Sequence, residues 1–208
     1  MKKTIIISLL LAASVASVFG ASKKKKKGEW WNSYGRAVQE NNLLLNVGMG
    51  INGNLGQGGD LSSYIPPFEA SGEYTTFIGV PIGFGGFIGY TGYKTEESVN
   101  AAATYITTTK ERNVFYFGGL ANYHFNLVDE LDLYAGAKIG LDFKNEDKKV
   151  STTFEGTTTT VSESDEWMSL HFGINAGATY YFNDFFGVNV EAGFPTILRV
   201  AASFKLDF

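Results

Sequence analysis

The chain has 208 residues, enough for one domain and too few for two of ordinary size, and its 25 Gly, 17 Phe and 11 Tyr against only 4 Pro give more aromatic surface than a soluble core of this length needs. The absence of cysteine excludes disulfides and thiolate metal sites. The formal net charge is −4, but Lys2, Lys3 and the lysine run 23–27 hold seven of the 17 basic side chains, so residues 28–208 carry 10 basic against 21 acidic ones, a balance that excludes a nucleic-acid partner.

The chain opens Met1-Lys2-Lys3, continues as an apolar stretch over residues 5–19 interrupted only by Ser8, Ser14 and Ser17 among small residues, and reaches Gly20 and Ala21. That order predicts a secretory signal peptide over residues 1–20, with Val18 and Gly20 in the small-residue positions of the cut. No cysteine follows it, so a lipoprotein anchor is not expected. Beyond it no apolar run approaches the ~20 residues of a membrane helix, so a membrane would have to be crossed by strands. Residues 21–42 read as a basic and polar N-terminal periplasmic segment. The lysine run 23–27 and the polar stretch that follows it to Asn42 are expected to be a solvated linker between the cleavage site and the first strand, the alternative being contact with anionic headgroups, with Trp30 and Trp31 at the interface.

From residue 43 a barrel domain is predicted over residues 43–208, because alternating strands recur along it. Strand one, 43–52, sets Leu43, Leu45, Val47, Met49 and Ile51 against Asn46, Gly48, Gly50 and Asn52. Strand two, 68–77, turns Glu69, Ser71 and Glu73 inward, and strand three, 82–93, turns in glycines such as Gly83 and Gly89. Strand four, 113–125, presents Phe115, Phe117, Tyr123 and Phe125 outward and Asn122 and His124 inward. Strand five, 131–144, is the clearest: seven apolar positions from Leu131 to Phe143 alternate with Asp132, Tyr134, Gly136, Lys138, Gly140, Asp142 and Lys144. Strand six, 167–182, carries Leu170, Phe172 and Ile174 outward against Ser169, His171 and Asn175, and strand seven, 186–194, places Asn189 and Glu191 inside. Such strands suffice to cross a bilayer when tilted, which takes about 9–11 residues.

The connections alternate in length. Residues 53–67, 94–112 and 145–166 are long, whereas 79–81, 126–130 and 183–184 are tight, the pattern of long outer loops and short periplasmic turns. The connection around Pro195 is short although it falls on the outer side. Outward aromatics gather at both strand ends, as the two membrane interfaces select.

The last strand, 198–208, sets Leu198, Val200, Ala202, Phe204, Leu206 and Phe208 against Arg199, Ala201, Ser203, Lys205 and Asp207 and ends on an aromatic residue. A terminal aromatic after this alternation resembles the assembly signal of outer-membrane barrels, here Phe204, Leu206 and Phe208, and the whole resembles the small eight-stranded barrels of the outer-membrane protein A and X type. The fold expected is all-β: an eight-stranded antiparallel transmembrane β-barrel with long extracellular loops and short periplasmic turns. The resemblance implies the outer membrane of a Gram-negative-type bacterium, a monomer in contact with outer-membrane lipid, handling by the barrel-assembly machinery, and a structural or surface-binding, adhesin-like role with an extracellular ligand met through the loops. No wall-anchoring module is expected after Phe208, and no cofactor.

Inward charges must be paired or hydrated, so Glu73, Lys138, Glu191 and Arg199 are expected to form a lumen network, with Glu191 and Arg199 facing each other across the last hairpin. Eight strands leave an interior that side chains just fill, which makes a small-solute or ion channel the second reading. A lipid-modifying enzyme comes third: His171 and Ser169 share a face with acids nearby, but no nucleophile motif surrounds them, and two distant histidines do not suggest a metal site. Residues 149–154 and 157–162 are rich in Thr and Val and flank Glu155-Gly156, which predicts a hairpin protruding past the membrane as the binding surface.

Overall fold

The computed structural model describes residues 35–52, 60–101 and 104–208; the signal peptide, the lysine run 23–27, Trp30 and Trp31 lie outside them. Eight strands follow one another around a ring: β1 (Asn42–Asn52), β2 (Asp60–Phe77), β3 (Pro81–Ala101), β4 (Thr104–Val128), β5 (Leu131–Phe154), β6 (Thr157–Tyr181), β7 (Phe186–Phe194) and β8 (Thr196–Asp207). All neighbours are antiparallel, and β1 pairs with β8 from Asn42↔Asp207 to Asn52↔Thr196, closing the sheet into a barrel.

The pleat sends successive side chains to opposite faces, and here the polar set goes in. Glu69, Glu73, Asn122, His124, Lys138, Glu191 and Arg199 are all less than 10% exposed, while Met49, Ile139, Leu170 and Phe172 are between 56% and 68% exposed. A soluble barrel would be built the other way round. Outward Phe68, Tyr90, Phe115, Phe143 and Phe194 ring one end of the belt, and Tyr123, Tyr180, Phe182 and Phe208 the other. An apolar belt with aromatic girdles around a polar interior is the surface of an outer-membrane β-barrel, and that is what this chain is.

Room inside is short, and inward glycines provide it. A methyl group on Gly83 would collide with the Glu73 carboxylate, one on Gly89 with the Tyr116 ring and one on Gly177 with the Tyr134 ring, so these large inward side chains lie over glycines of the neighbouring strand.

The end where the chain enters has the short turns. Ile78–Val80 turns through Gly79 at φ 87°, and Asn183 accepts from the amides of Phe185 and Phe186 at 2.9 and 2.8 Å. At the far end the connections expected as long loops are largely strand: β2 already begins at Asp60, inside the connection expected over residues 53–67. β3 and β4 pair without a break from Ile82↔Tyr123 to Ala101↔Thr104, so residues 94–101 and 104–112, expected as loop, form two paired arms. β5 and β6 likewise pair up to Phe154↔Thr157, around Glu155 and Gly156 at φ 47° and 80°, the two positive values a type I′ turn requires. Hydrophobic alternation stops where the lipid stops; the Thr-rich backbone continues as strand above it.

The segment 21–42 also needs correcting, since its last part is not solvated linker. Ala37 and Val38 are fully buried in the periplasmic mouth beside Leu44 and Tyr181. The Val38 amide donates to Asn126 Oδ1 at 2.9 Å, Asn126 Nδ2 returns a bond to the Val38 carbonyl at 2.5 Å, Lys205 Nζ donates to the Ala37 carbonyl at 2.6 Å, and Thr75 Oγ1 donates to the Gln39 carbonyl at 2.5 Å. Inward polar side chains supply the partners that a non-strand backbone needs when buried. The barrel is therefore corked from below by its own N-terminal segment.

Candidate functional site

Two regions have the chemistry to do something: the charged lumen, and the outer mouth with the strands that rise above it. In the lumen, the register places Glu191 opposite Arg199 across β7 and β8, and Arg199 Nη2 donates to Glu191 Oε2 at 3.0 Å. Arg199 also pairs with Glu69 from β2. From β5, Lys138 Nζ reaches Glu69 Oε1 at 2.7 Å and Glu191 Oε1 at 2.9 Å. Two cations and two carboxylates thus close a ring across the lumen, and Tyr134 donates to Glu191 Oε2 at 2.9 Å. Buried charges persist because each has an opposite partner and further hydrogen bonds.

Of the four residues grouped from sequence, Lys138, Glu191 and Arg199 meet here and Glu73 does not. Glu69 takes its place. Glu73 lies four residues nearer the periplasm along β2, roughly 13 Å at the strand rise. There His124 spans two carboxylates, with Nε2 at 2.5 Å from Glu73 Oε1 and Nδ1 at 2.7 Å from Asp132 Oδ2, while Asn122 donates to Glu73 Oε2 at 2.8 Å. The space left in mid-lumen is about 10 Å³, of the order of one water.

Phe204 packs its ring 5.5 Å from both Phe185 and Phe186 on the outer surface, Leu206 pairs with Leu43 across the closing seam, and the Phe208 amide donates to the Asn41 carbonyl at 3.1 Å with its ring about half exposed. The three terminal apolar residues therefore lie on the strand that closes the ring against β1.

Toward the outer face, His171 is held between Tyr116, stacked at 5.2 Å and 10°, and Phe87, at 5.1 Å. Its Nδ1 lies 2.8 Å from Asp142 Oδ1. Ser169 donates to Asp142 Oδ2 at 3.4 Å, so serine and histidine both address the carboxylate, and the serine has no hydrogen bond to the imidazole. Above this layer opens a vestibule of about 180 Å³, with Tyr93, Arg112, Tyr116, Asp142, Lys144 and His171 on its walls. Arg112 pairs with Glu146 and lies between the rings of Tyr93 and Trp167, at 5.7 and 5.4 Å from their centres.

Higher still, β3, β4, β5 and β6 continue side by side as a four-stranded blade. Hydroxyls pair across it: Ser151 with Thr160 at 3.0 Å, and Thr153 with Thr158 at 2.9 Å. One side of the blade is open, because β7 pairs with β6 only from Ile174↔Phe194 to Tyr181↔Gly187. Among the described residues, positions 157–172 of β6 therefore have a strand partner on one side only.

Sequence reasoning did not anticipate the seated N-terminal segment, the β3–β4 arm or the vestibule. The first had a faint signal, the small apolar pair Ala37-Val38 inside a polar stretch. The vestibule had none, since its walls come from strands far apart in sequence.

No protein-family model matches the sequence, and no curated protein matches it. Among solved structures the chain is similar to Ail, the attachment invasion locus protein of Yersinia pestis, in complex with the heparin analogue sucrose octasulfate: TM-score 0.46, 14% identity, 81% of this chain and 100% of that one covered. A second structure of Ail gives 0.41 and 12% over 81% and 100%, and a mutant porin of Rh. blastica gives 0.17 and 12% over 80% and 99%. At these scores the likenesses carry no functional reading. The barrel stands on the chain's own ladders.

Proposed function

We propose that this outer-membrane barrel is a surface-binding protein with an adhesin-like role, neither an enzyme nor a channel, and that the blade above the membrane is its contact element. The observation that carries this is the open edge of β6 above the membrane, over residues 157–166, where every second residue aims its amide and carbonyl away from β5. Such an edge accepts an added strand, with main-chain hydrogen bonds for affinity and neighbouring side chains for choice. Glu163, Asp165 and Glu166 line it, and all are exposed. Like charges discourage pairing between two copies, which favours a monomer, and they suit a basic or hydroxyl-rich partner.

The other readings have less support. The ring of Glu69, Lys138, Glu191 and Arg199 crosses the lumen, and Ala37 and Val38 are buried in its lower mouth, so conductance in planar bilayers should stay at baseline. Ser169 lacks the base that a serine nucleophile needs, so His171→Ala should abolish no hydrolase activity. The terminal residues Phe204, Leu206 and Phe208 would be what the assembly machinery reads. Replacing residues 150–161 by a short Gly-Ser link should leave the heat-modifiable gel shift of a folded barrel intact and abolish adhesion of cells displaying the protein. Adhesion that survives the replacement in a folded barrel overturns the reading.

A further inference from the structure

The geometry points to the vestibule as a second binding site, for a single carboxylate-bearing ring about the size of one sugar. It is distinct from the blade edge, since its walls lie inside the barrel mouth on the strands below the blade.

The donor and acceptor inventory decides the ligand's chemistry. The one carboxylate on the wall, Asp142, is already engaged by His171 at 2.8 Å, Ser169 at 3.4 Å and Lys144 at 3.5 Å. The groups left without a hydrogen bond are mostly donors. Lys144 Nζ has only that long contact with Asp142, and the second terminal nitrogen of Arg112, Nη1, is not used in its pair with Glu146. His171 Nε2, opposite its bonded Nδ1, makes no hydrogen bond within the protein, and with Nδ1–H donating to Asp142 it is the exception, an acceptor that a ring hydroxyl can meet. A cavity that offers unpaired donors around an occupied acceptor selects an acceptor-rich, negatively charged group, and charge-assisted bonds are the strong ones. Aromatic walls and an apolar side at Val114 and Pro195 add a flat surface for a ring, the usual composition of a small-molecule pocket. At about 180 Å³ the space admits one ring and no more. Lys144 is the residue placed to meet the carboxylate, with His171 held by Asp142 as the positioned wall behind it.

Glucuronate is the probe, titrated calorimetrically into the folded full-length barrel in zwitterionic detergent, with glucose and glucosamine as neutral and cationic rings of the same size. Glucuronate should bind, and the two controls at least tenfold more weakly. Lys144→Gln should weaken glucuronate at least tenfold, Lys144→Arg should retain it, and Lys148→Gln, on the blade, should change nothing; the gel shift verifies that each variant is folded. An oligosaccharide ending in glucuronate, compared with the free acid, tells whether the ligand arrives as the end of a surface chain or as a solute, and binding of either supports the site. Equal binding of glucuronate and glucose, no binding of any probe, or an unchanged affinity in folded Lys144→Gln overturns it. The replacement of residues 150–161 leaves these walls in place, so loss of adhesion there and loss of glucuronate binding here are separate outcomes.

Discussion

Replacing Lys138 by Met tests the lumen ring most directly. Lys138 Nζ lies 2.7 Å from Glu69 and 2.9 Å from Glu191, and all three side chains are less than 10% exposed. Methionine keeps most of the volume but removes the positive charge, leaving two buried carboxylates to share Arg199. Breaking one partner out of a buried ion pair costs about 3–5 kcal/mol, because the remaining charge is stranded; since Arg199 still touches both carboxylates, the lower end, about 3 kcal/mol, is expected. Removing the stranded charge as well, in Lys138→Met with Glu69→Gln, should recover most of that loss, which separates charge balance from packing. Lys148→Met, in the arm above the membrane, should stay within about 0.5 kcal/mol of the parent, as surface substitutions do. The assay is reversible urea unfolding in detergent followed by tryptophan fluorescence, with the gel shift as a second probe. Equal midpoints for the parent, Lys138→Met and Lys148→Met would show that the ring carries no stability, and a double variant no better than the single one would show that charge is not the cause.

Asn126→Leu removes both bonds to the Val38 backbone and leaves a buried amide and carbonyl unpaired at about 1–3 kcal/mol each, so trypsin should cut after Arg36 faster than in the parent; an unchanged rate would mean the seated segment does not depend on those bonds. Deleting Phe208, whose ring is about half exposed beyond the last strand, should lower the amount inserted in cells more than it lowers the unfolding midpoint of refolded protein, and normal membrane levels would count against an assembly role. Gly156→Val places a β-branched residue at φ 80°, a strain of roughly 1–2 kcal/mol, so amide exchange over residues 150–161 should quicken while the barrel midpoint holds; slow exchange at the tip would contradict the type I′ turn.

What could be read from the chain alone is what the pleat makes local. Alternation is a property of each strand by itself, so the lipid and lumen faces of β5, the limits of β7 at Phe186 and Phe194, and the turn at Glu155-Gly156 were all visible in sequence. Apolar alternation also marks where lipid ends, and for that reason it misjudged where strand ends: β3 runs on through residues 94–101 and β4 through 104–112, with polar residues in both alternating sets. Which inward charges meet depends on the stagger between strands, which no single strand encodes. Arg199 finds Glu69 across 130 positions of sequence while Glu73, on the same face of the same strand, goes to His124. The seating of Ala37 and Val38 against Asn126, and the vestibule under the blade, likewise exist only once the ring has closed. Side-chain direction is set by the backbone of one strand, whereas partnership is set by the register and shear of eight.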